Sequence, residues 1–321
     1  MKKQILVTGG AGFIGFHTCK KLLESNFNVL CIDNINNYYS QNLKKKRIEF
    51  LKKKFKNFEF IKLNICNYTN LCKILKNKKI IKIIHLAAQA GVRQAYFNPR
   101  SYMNSNLNGF FNVLEIAREK KIKEIISASS SSVYGNQKKF PIKESYNSSE
   151  PIQFYAATKK SNEVMAYSYF KMFKINFVFM RFFTVYGPWG RPDMSIFKFT
   201  KNILSGKKID VYNFGKHSRD FTYIDDAVEG ILKLFKKNNK GFNIYNIGSE
   251  KKISLMELIN KIEKFLNKKA LLNYIKMQPG DIQETCSSTY KIKQYTGYKS
   301  KYNIDYGLKQ FIAWFKEFYK K

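Results

Sequence analysis

Acidic residues and arginines are both scarce in this chain. Its 321 residues include 23 Asp and Glu against 58 Lys and Arg, which gives a formal net charge of +35. Seven of the basic residues are Arg and the other 51 are Lys. Proteins that recognise nucleic acids favour Arg, whose planar guanidinium makes bidentate contacts to phosphates and bases. We therefore predict no dedicated nucleic-acid partner, and we interpret the charge as a consequence of a Lys-rich composition.

Long apolar runs, histidines and paired cysteines are also missing. The best membrane candidate, residues 80–88, is short and contains Lys82 and His85, which argues against a membrane span. The apolar run near the N-terminus stops at glycines after four residues, which is too short for a signal peptide. Five scattered Cys and three His without ligand spacing predict reduced thiols, no metal site and a cytoplasmic location.

Short apolar runs alternate with helical patterns in the first half of the chain. Such alternation predicts a parallel sheet covered by helices on both faces. We predict an α/β protein with a Rossmann-type, doubly wound parallel sheet over residues 1–180. A smaller C-terminal α+β substrate-binding domain follows over residues 181–321, with the chain crossing between the two. The predicted strands of the first part cover residues 3–8, 28–32, 58–63, 80–86, 124–129 and 177–182.

A basic segment, residues 44–56, contains the blocks KKKR and KKK. Ile48, Leu51 and Phe55 recur within it at helical spacing, so the segment predicts a helix. A basic amphipathic helix can bind a membrane or an acidic partner. In a chain this rich in Lys, we favour an ordinary helix with a solvated lysine face.

A glycine-rich stretch follows the first predicted strand. Gly9, Gly12 and Gly15 are spaced G-x-x-G-x-x-G at the start of a helix. Absent side chains there let the backbone approach a pyrophosphate, and the helix N-terminus supplies N–H donors. Asp33 ends the second predicted strand, where a carboxylate accepts hydrogen bonds from a ribose diol and repels a 2′-phosphate. The combination predicts a dinucleotide site, with NAD favoured over NADP.

Tyr155 and Lys159 lie four residues apart in a predicted helix, which puts them on one face. A phenol is a weak base at neutral pH, but a neighbouring ammonium stabilises the phenolate. Tyr155 can then move a proton to or from a substrate hydroxyl. The serine run 129–132 ends a predicted strand, where open α/β sheets place their ligands. One of its hydroxyls can contact the same substrate oxygen.

Four motifs occur together: the glycine loop, His-Leu-Ala-Ala at residues 85–88, Ser-Ser-Val-Tyr-Gly at residues 131–135, and Tyr155 with Lys159. They resemble the extended short-chain dehydrogenase/reductase family of nucleotide-sugar enzymes, the NAD-dependent epimerase/dehydratases. Residues 88–93, 181–194 and 219–226 further resemble the UDP-glucuronate 4-epimerases of that family. The resemblance runs from Lys3 to about Phe318.

The resemblance implies a role for each matching residue. Tyr155 is the implied base, Lys159 its modulator, and Ser130 the hydroxyl partner. Asn64 stands where relatives usually carry an aspartate, from which we expect altered cofactor affinity rather than an altered reaction. The implied NAD-binding residues are Gly9, Gly12, Phe13, Ile14, Gly15, Asp33, Asn34, Asn64, Ile65, Leu86, Ala87, Ala88, Tyr155 and Lys159. The implied UDP-sugar-binding residues are Arg93, Ser130, Thr184, Arg191, Arg219 and Asp281.

The reaction implied by the resemblance is C4 epimerisation of UDP-glucuronate to UDP-galacturonate through a 4-keto intermediate. Related decarboxylases and dehydratases carry an acidic residue just before Val-Tyr-Gly, where this chain has Ser132. That difference argues against both, although a UDP-glucuronate decarboxylase stays open. An epimerase of a neutral sugar, UDP-glucose or UDP-N-acetylglucosamine, also stays open, with Thr184 and Arg93 as discriminators. A non-catalytic nucleotide-binding protein is a further alternative, against which Ser130, Tyr155 and Lys159 argue.

Four of the seven arginines, Arg93, Arg181, Arg191 and Arg219, fall in the motif stretches. In a chain where Lys is the default cation, we expect Arg where planar bidentate geometry to phosphate or carboxylate is needed. Arg181 lies on a predicted strand, so a structural role is an alternative for it. The resemblance also implies a homodimer formed by helices near residues 106–120 and 154–173, with no membrane partner.

Overall fold

The computed structural model describes residues 2–320, and this range contains twelve β-strands. Most are short, and the longest have seven residues. The strands are β1 (Lys3–Thr8), β2 (Val29–Asp33), β3 (Phe58–Lys62), β4 (Lys79–His85), β5 (Glu124–Ser130), β6 (Asn176–Phe182), β7 (Thr184–Tyr186), β8 (Lys208–Tyr212), β9 (Ser218–Tyr223), β10 (Phe242–Ile247), β11 (Lys252–Ser254) and β12 (Leu271–Ile275).

Helices connect most of the strands. A π-helical turn, Met103–Asn108, and a 3₁₀ turn, Ser131–Tyr134, interrupt the regular α-helices. The α-helices are α1 (Phe13–Glu24), α2 (Gln41–Lys54), α3 (Tyr68–Leu75), α4 (Gln94–Phe97), α5 (Pro99–Tyr102), α6 (Gly109–Glu119), α7 (Phe154–Phe173), α8 (Ser195–Leu204), α9 (Ile224–Lys236), α10 (Leu255–Leu266), α11 (Tyr290–Thr296) and α12 (Ile304–Tyr319).

Seven strands form one sheet in the order β10-β6-β5-β4-β1-β2-β3. The neighbours β1–β2, β2–β3, β1–β4 and β4–β5 run parallel. The part of this order that reads 3-2-1-4-5-6 is that of a doubly wound dinucleotide-binding sheet, which confirms the predicted fold class. In such sheets the strand order reverses between β1 and β4, and ligands bind beyond the carboxyl ends of the strands at that point.

The large sheet is buried on both faces, as a parallel sheet covered by helices requires. On one face Leu6 and Ile83 pack in a core with Phe110 of α6. Val7 follows Leu6 along β1 and therefore points to the opposite face, where it is also fully buried. Burial on both faces explains why these strands read as nearly continuous apolar runs in the sequence.

Contacts between Cα atoms divide the described residues into two compact units. The first unit contains the residues up to Gly135 together with Asn147–Arg181 and Val228–Tyr245. The second unit contains Asn136–Tyr146, Phe182–Ala227 and the residues from Asn246 onward. The predicted boundary at residue 180, with a cofactor-binding domain before it and a substrate-binding domain after it, stays a prediction.

The second unit contains two small sheets. In the three-stranded sheet β7 pairs parallel to β9, and β11 pairs antiparallel to β9. The other sheet pairs β8 with β12 in parallel. Helix α10 follows β11 and is N-capped by Ser254, whose side chain accepts a hydrogen bond from the Glu257 N–H at 3.1 Å. Short strands and capped helices give this unit its α+β character.

Candidate active site

The glycine loop joins β1 to α1 in the first unit. Gly9 has a φ of +77°, and a Cβ atom at this position would lie 2.5 Å from the backbone nitrogen of Ala87. A Cβ atom on Gly15 would lie 2.1 Å from the Gly9 carbonyl oxygen. Both distances are far below van der Waals contact, so both positions require glycine. The loop therefore packs directly against α1 and against the segment that follows β4.

The first turn of α1 suits an anionic ligand. Gly12 is the N-cap and has no side chain to satisfy the N–H groups of this turn, which contains no acidic residue. Helix N-termini carry a partial positive charge, and their N–H groups bind phosphates. The close packing that Gly9 and Gly15 permit holds the loop at this helix N-terminus. The residues present therefore fit the pyrophosphate of a dinucleotide.

Asp33 ends β2, and its carboxylate is hydrogen-bonded to the glycine loop. Oδ2 accepts from the Ala11 N–H at 3.0 Å and Oδ1 from the Ile35 N–H at 2.8 Å. Burial raises the pKa of the Asp33 carboxyl above its usual value, although these N–H groups and the charges of Lys44 and Arg47 oppose the rise. The carboxylate is thereby fixed at the strand end where a ribose diol is expected.

Two basic residues of the segment 44–56 point inward. Arg47 is fully buried, and its Nη1 donates to the Ala11 carbonyl of the glycine loop at 2.7 Å. Lys44 is also buried, and its Nζ donates to the backbone and side-chain oxygens of Asn36 at 2.8 and 2.6 Å. The predicted helix is confirmed as α2, but the predicted solvated face is wrong at these two positions. The spacing i, i+3, i+4 and i+7 is typical of a buried helix face, and it is shared by Lys44, Arg47, Ile48 and Leu51. This spacing could have predicted that the two basic residues point inward.

The other predicted cofactor residues follow neighbouring strands of the large sheet. The Leu86 N–H donates to the Thr8 carbonyl at 3.0 Å, which keeps the segment after β4 beside the end of β1. Asn64 follows β3, and its Oδ1 accepts from the Cys66 N–H at 3.1 Å. The structure therefore groups the predicted cofactor residues at the carboxyl ends of β1 to β4 and in the adjacent turn of α1. These residues are Gly9, Gly12, Phe13, Ile14, Gly15, Asp33, Asn34, Asn64, Ile65, Leu86, Ala87 and Ala88.

Tyr155 and Lys159 are one turn apart on α7. Lys159 is only 2% exposed, and burial lowers the pKa of its ammonium to about 8 against the opposing charge of Glu163. Tyr155 is half-buried, and its ring meets that of Tyr102 edge-on with centroids 6.2 Å apart. A lysine with a pKa near 8 remains mostly protonated at neutral pH, so a cation lies one helical turn from the phenol.

Ser130 is the last residue of β5. Its Oγ accepts from the Ser132 N–H at 3.2 Å and lies 3.1 Å from the Ser132 Oγ, which caps the 3₁₀ turn. The preceding Ser129 is engaged elsewhere, because its hydroxyl donates to Glu163 at 2.7 Å. The two serines therefore have different partners, and the choice of Ser130 as the substrate contact stays a prediction.

Sequence reasoning missed Asn106, which lies in the π-helical turn. Its Oδ1 accepts from the Gln89 N–H at 2.7 Å, and its Nδ2 donates to the Thr158 Oγ1 at 2.9 Å. The backbone carbonyl of Asn106 accepts from Asn162 at 2.7 Å. This residue thereby joins the segment after β4 to α7, the helix of Tyr155. π-Helical turns are frequent at functional sites, but an asparagine in a polar stretch carries no sequence signal for one.

Arg93 is exposed at the start of α4, in the first unit. The turn before it is held by Tyr102, whose hydroxyl contacts the carbonyls of Ala90 and Gly91 at 2.9 and 2.5 Å. Because the Tyr102 ring also meets Tyr155, the same side chain contacts the base candidate and the turn that leads to Arg93.

Three predicted substrate residues lie close together in the second unit. Thr184 opens β7 and pairs with Phe221 of β9. Arg219 precedes Phe221 by two residues, so Thr184 and Arg219 lie on the same face of the small sheet. Arg219 donates to the carbonyl of Gln283 at 2.9 Å, two residues after Asp281. The strand pairing and this bond bring the three predicted residues to one region of the unit.

Asp220 organises that region, although no role was predicted for it. Its buried carboxylate accepts hydrogen bonds from the N–H groups of Ser249, Glu250 and Ser287 and from two serine hydroxyls, at 2.5 to 3.1 Å. The strand that carries Arg219 is thereby tied to the segments after β10 and after Asp281.

The profile of the NAD dependent epimerase/dehydratase family matches residues 5–248. The chain belongs to this family. A UDP-glucuronate 4-epimerase of Thermodesulfobacterium geofontis is 39% identical over 313 residues, which cover 97% of this chain and 96% of that protein. The UDP-glucuronic acid 4-epimerase of Bacillus cereus, solved in complex with UDP-glucuronic acid and NAD, is 35% identical with a TM-score of 0.93, covering 98% of this chain and all of that one. The UDP-glucose 4-epimerase of Thermotoga maritima, solved with UDP-glucose, is 26% identical with a TM-score of 0.89, covering 98% and 99%.

Two of the four arginines in the motif stretches make bidentate ion pairs with carboxylates of this epimerase/dehydratase chain. Arg181 binds Glu163 through Nε and Nη2 at 2.9 and 2.8 Å. Arg191 binds Asp193 through the same atoms at 3.0 and 2.5 Å. The expected planar geometry is present, and for Arg181 the structure supports the structural alternative. The role of Arg191 toward UDP stays a prediction.

Within residues 2–320, no cluster of three or more His, Cys, Asp or Glu side chains is placed to hold a metal ion. Across the same range, none of the helices has the length and apolar character that crossing a membrane requires. All five cysteines, which lie within the described range, are free thiols.

Proposed function

We propose that this chain catalyses the NAD-dependent C4 epimerisation of UDP-glucuronate to UDP-galacturonate. The observation that carries the proposal is similarity over at least 97% of the chain to proteins named UDP-glucuronate 4-epimerases, one of them solved with UDP-glucuronic acid and NAD. Identity to these proteins is 35% and 39%, against 26% for the UDP-glucose 4-epimerase. The buried Lys159 one turn from Tyr155 supports catalysis over simple nucleotide binding.

NAD is the cofactor of the family, and the glycine loop fits it. In the proposed site Gly9, Gly12 and Gly15 hold the pyrophosphate at the N-terminus of α1, and Asp33 binds the adenosine ribose. Lys159 would also contact the nicotinamide ribose. When bound, NAD supplies the hydride acceptor and donor for C4 of the sugar.

In the proposed mechanism Tyr155 removes the proton of the sugar 4-hydroxyl. The ammonium of Lys159 stabilises the phenolate form of Tyr155, and the hydroxyl of Ser130 donates to the same sugar oxygen and orients it. Rotation of the 4-keto sugar about its link to the diphosphate presents its opposite face. Tyr155 then returns the proton to the oxygen, so the chain undergoes no net change.

The remaining candidate residues bind different parts of the substrate. Arg191, Arg219 and Asp281 bind the UDP part, with the guanidinium groups on the diphosphate and the carboxylate on the ribose. Thr184 and Arg93 bind the C6 carboxylate of the sugar. A ketone at C4 makes this carboxylate prone to loss as CO₂, and neutral hydrogen-bond donors such as Thr184 hold it without supplying a general acid.

Incubation of the purified protein with UDP-glucuronate, followed by proton NMR without added reductant, tests the proposal. We expect UDP-galacturonate to appear without loss of CO₂. Release of CO₂ with a pentose product would indicate a decarboxylase instead. Conversion of UDP-glucose or UDP-N-acetylglucosamine with UDP-glucuronate left untouched would overturn the substrate assignment and leave the epimerase chemistry standing.

A homodimer is part of the proposal. Helices α6 and α7 and the π-helical turn carry large apolar side chains at the surface, and such patches mark interfaces. They are Met103, Phe111, Val164, Tyr167 and Met172. Light scattering at micromolar concentration should give twice the chain mass, and the double substitution of Val164 and Met172 by Glu should give a monomer. We also propose a cytoplasmic location, which scattered free thiols favour.

A further inference from the structure

Helix α7 carries a third titratable residue on the face of Tyr155 and Lys159. Glu163 follows Lys159 by four residues, so the three side chains lie at i, i+4 and i+8 along one face. Glu163 and its partner Arg181 are both only 2% exposed. Burial of a carboxylate is costly unless it is paired and hydrogen-bonded, and the proposed mechanism leaves Glu163 without a role.

The partners of Glu163 come from two adjacent strands. Oε1 accepts from the Ser129 hydroxyl of β5 at 2.7 Å and from Arg181 Nε of β6 at 2.9 Å. Oε2 accepts from Arg181 Nη2 at 2.8 Å and from Lys160 Nζ at 3.4 Å. One carboxylate therefore connects α7 to the residue that precedes Ser130.

The network extends to the turn after Ser130. The Arg181 guanidinium lies over the ring of Tyr134, 4.6 Å from its centroid, and Nη2 also donates to Ser148 at 3.2 Å. Tyr134 is the last residue of the 3₁₀ turn that Ser130 caps. Glu163 and Arg181 thereby hold both the strand end before the turn and the turn itself.

We propose that Glu163 is a positioning residue. Its carboxylate fixes α7, the helix of Tyr155 and Lys159, against the strand end that presents Ser130. Its negative charge stabilises the protonated form of Lys159. The inference rests on the proposed function, since it assigns Glu163 a task only if these three residues act together. The carboxylate itself takes no part in proton transfer, because Arg181 and Ser129 occupy its oxygens.

Electrostatics agree with the geometry. Burial raises the pKa of the Glu163 carboxyl, but the hydrogen bonds and charge of Arg181 outweigh burial and keep this pKa below its usual range. Glu163 is therefore ionised at neutral pH, and its charge opposes the loss of the Lys159 proton that burial favours. Titratable or charged side chains that face Glu163 or Lys159 include Arg181 on β6, Lys160 on α7 and His85 on β4. The Tyr134 phenol faces Arg181, and Tyr155 lies one turn from Lys159 on α7.

The test is the pH profile of turnover in three variants of the full chain. In Glu163→Gln the alkaline limb should move toward neutral pH by about one unit, because Lys159 loses a stabilising opposite charge. Glu163→Gln leaves the buried Arg181 guanidinium without its carboxylate partner. The double variant Glu163→Gln with Arg181→Gln avoids this and is measured beside it. Its alkaline limb should shift in the same direction. Arg181→Lys keeps the Glu163 charge and should lower stability without moving the limb. Glu263→Gln, at a largely buried carboxylate of the second unit, is the control for a change of charge elsewhere.

The inference would be overturned if Glu163→Gln or the double variant lost turnover and stability while its alkaline limb stayed in place. Glu163 would then be a structural residue. Titration of Lys159 by NMR of protein labelled with [ε-¹³C]lysine, assigned by its loss in Lys159→Arg, separates this outcome from failure of the proposed function. A wild-type chain that converts no UDP-sugar would refute the proposed function alone. The Lys159 titration should still move to lower pH in Glu163→Gln, and an unchanged titration would refute the role of Glu163 whatever the substrate.

Discussion

The candidate residues of the two units are held in place by different kinds of contact. In the first unit Glu163 of α7 binds Ser129 of β5 and Arg181 of β6 through buried side chains. In the second unit Arg219 is half-buried and binds backbone carbonyls, on a short strand beside the turn of Asp281. A buried network fixes charge states, which proton transfer requires. A partly exposed guanidinium suits recognition of an anion, so we propose that proton transfer takes place in the first unit and that the second unit contributes most of the contacts to the UDP part.

The largest expected effect lies in the chemistry of the first unit. Replacing Tyr155 by Phe removes the proton-transfer group but keeps the ring against Tyr102. Because a general base typically contributes about 10²- to 10⁴-fold to a rate, kcat for UDP-glucuronate should fall by about this factor. Binding of UDP-glucuronate, measured by calorimetry, should change little.

Tyr290→Phe provides a control, because this exposed tyrosine of the second unit also loses only a hydroxyl group. Its kcat should match that of the wild type. If Tyr155→Phe keeps more than a tenth of the wild-type kcat, the base lies elsewhere and the assignment of chemistry to this helix is wrong.

The next effect concerns stability and tests whether the second unit is also organised by a buried carboxylate. Asp220→Asn places an amide among six hydrogen-bond donors, the sixth being the Thr222 hydroxyl at 3.3 Å, so at least two N–H or hydroxyl groups lose their acceptor. We expect the free energy of unfolding in urea to fall by about 2–3 kcal/mol. Asp210→Asn, at an exposed carboxylate on β8, should change it by less than about 0.5 kcal/mol. Equal effects in the two variants would mean that Asp220 does not organise the unit.

The elements of the first unit could be predicted from the sequence because their signals are local. Each buried strand is a short apolar run, and the glycine loop has a fixed spacing beside the first of them. The strands β7 and β11 could not be predicted in this way, since each has three residues and depends on pairing with β9. These two strands form because they pair with β9, and no local sequence pattern predicts them.

The polar network of the first unit was also beyond sequence reasoning. Glu163 is 18 residues from Arg181 and 34 from Ser129, so no spacing rule connects them. Lys44 and Arg47 were assigned to solvent because charged runs usually are, yet the glycine loop offers Arg47 a carbonyl to bind. In contrast, Tyr155 and Lys159 share a helix face, a relation that four-residue spacing specifies.

A third effect tests whether burial sets the charge states of the first unit. Burial, with the charge of Lys159, lowers the pKa of His85 from 6.5 to about 3. Between these values the unfolded chain binds a proton that the folded chain does not, so stability is fully present above pH 6.5 and falls as the pH falls. At about 1.4 kcal/mol per unit, the loss between pH 6.5 and pH 5 is about 2 kcal/mol. Urea unfolding of His85→Asn should show a shallower decline over this range, and parallel declines would assign the acid sensitivity to other groups.

The smallest effect bears directly on recognition by the second unit. Arg219→Lys keeps the positive charge but loses the planar fork that can bind a carbonyl and a diphosphate oxygen together. We expect KM for UDP-glucuronate to rise about tenfold, which corresponds to about 1.4 kcal/mol, while kcat changes less than threefold. Arg100→Lys, at an exposed arginine of the first unit, should leave both constants unchanged. A fall in kcat as large as the fall in kcat/KM would place Arg219 in the chemistry, and the division of labour between the units would then be wrong.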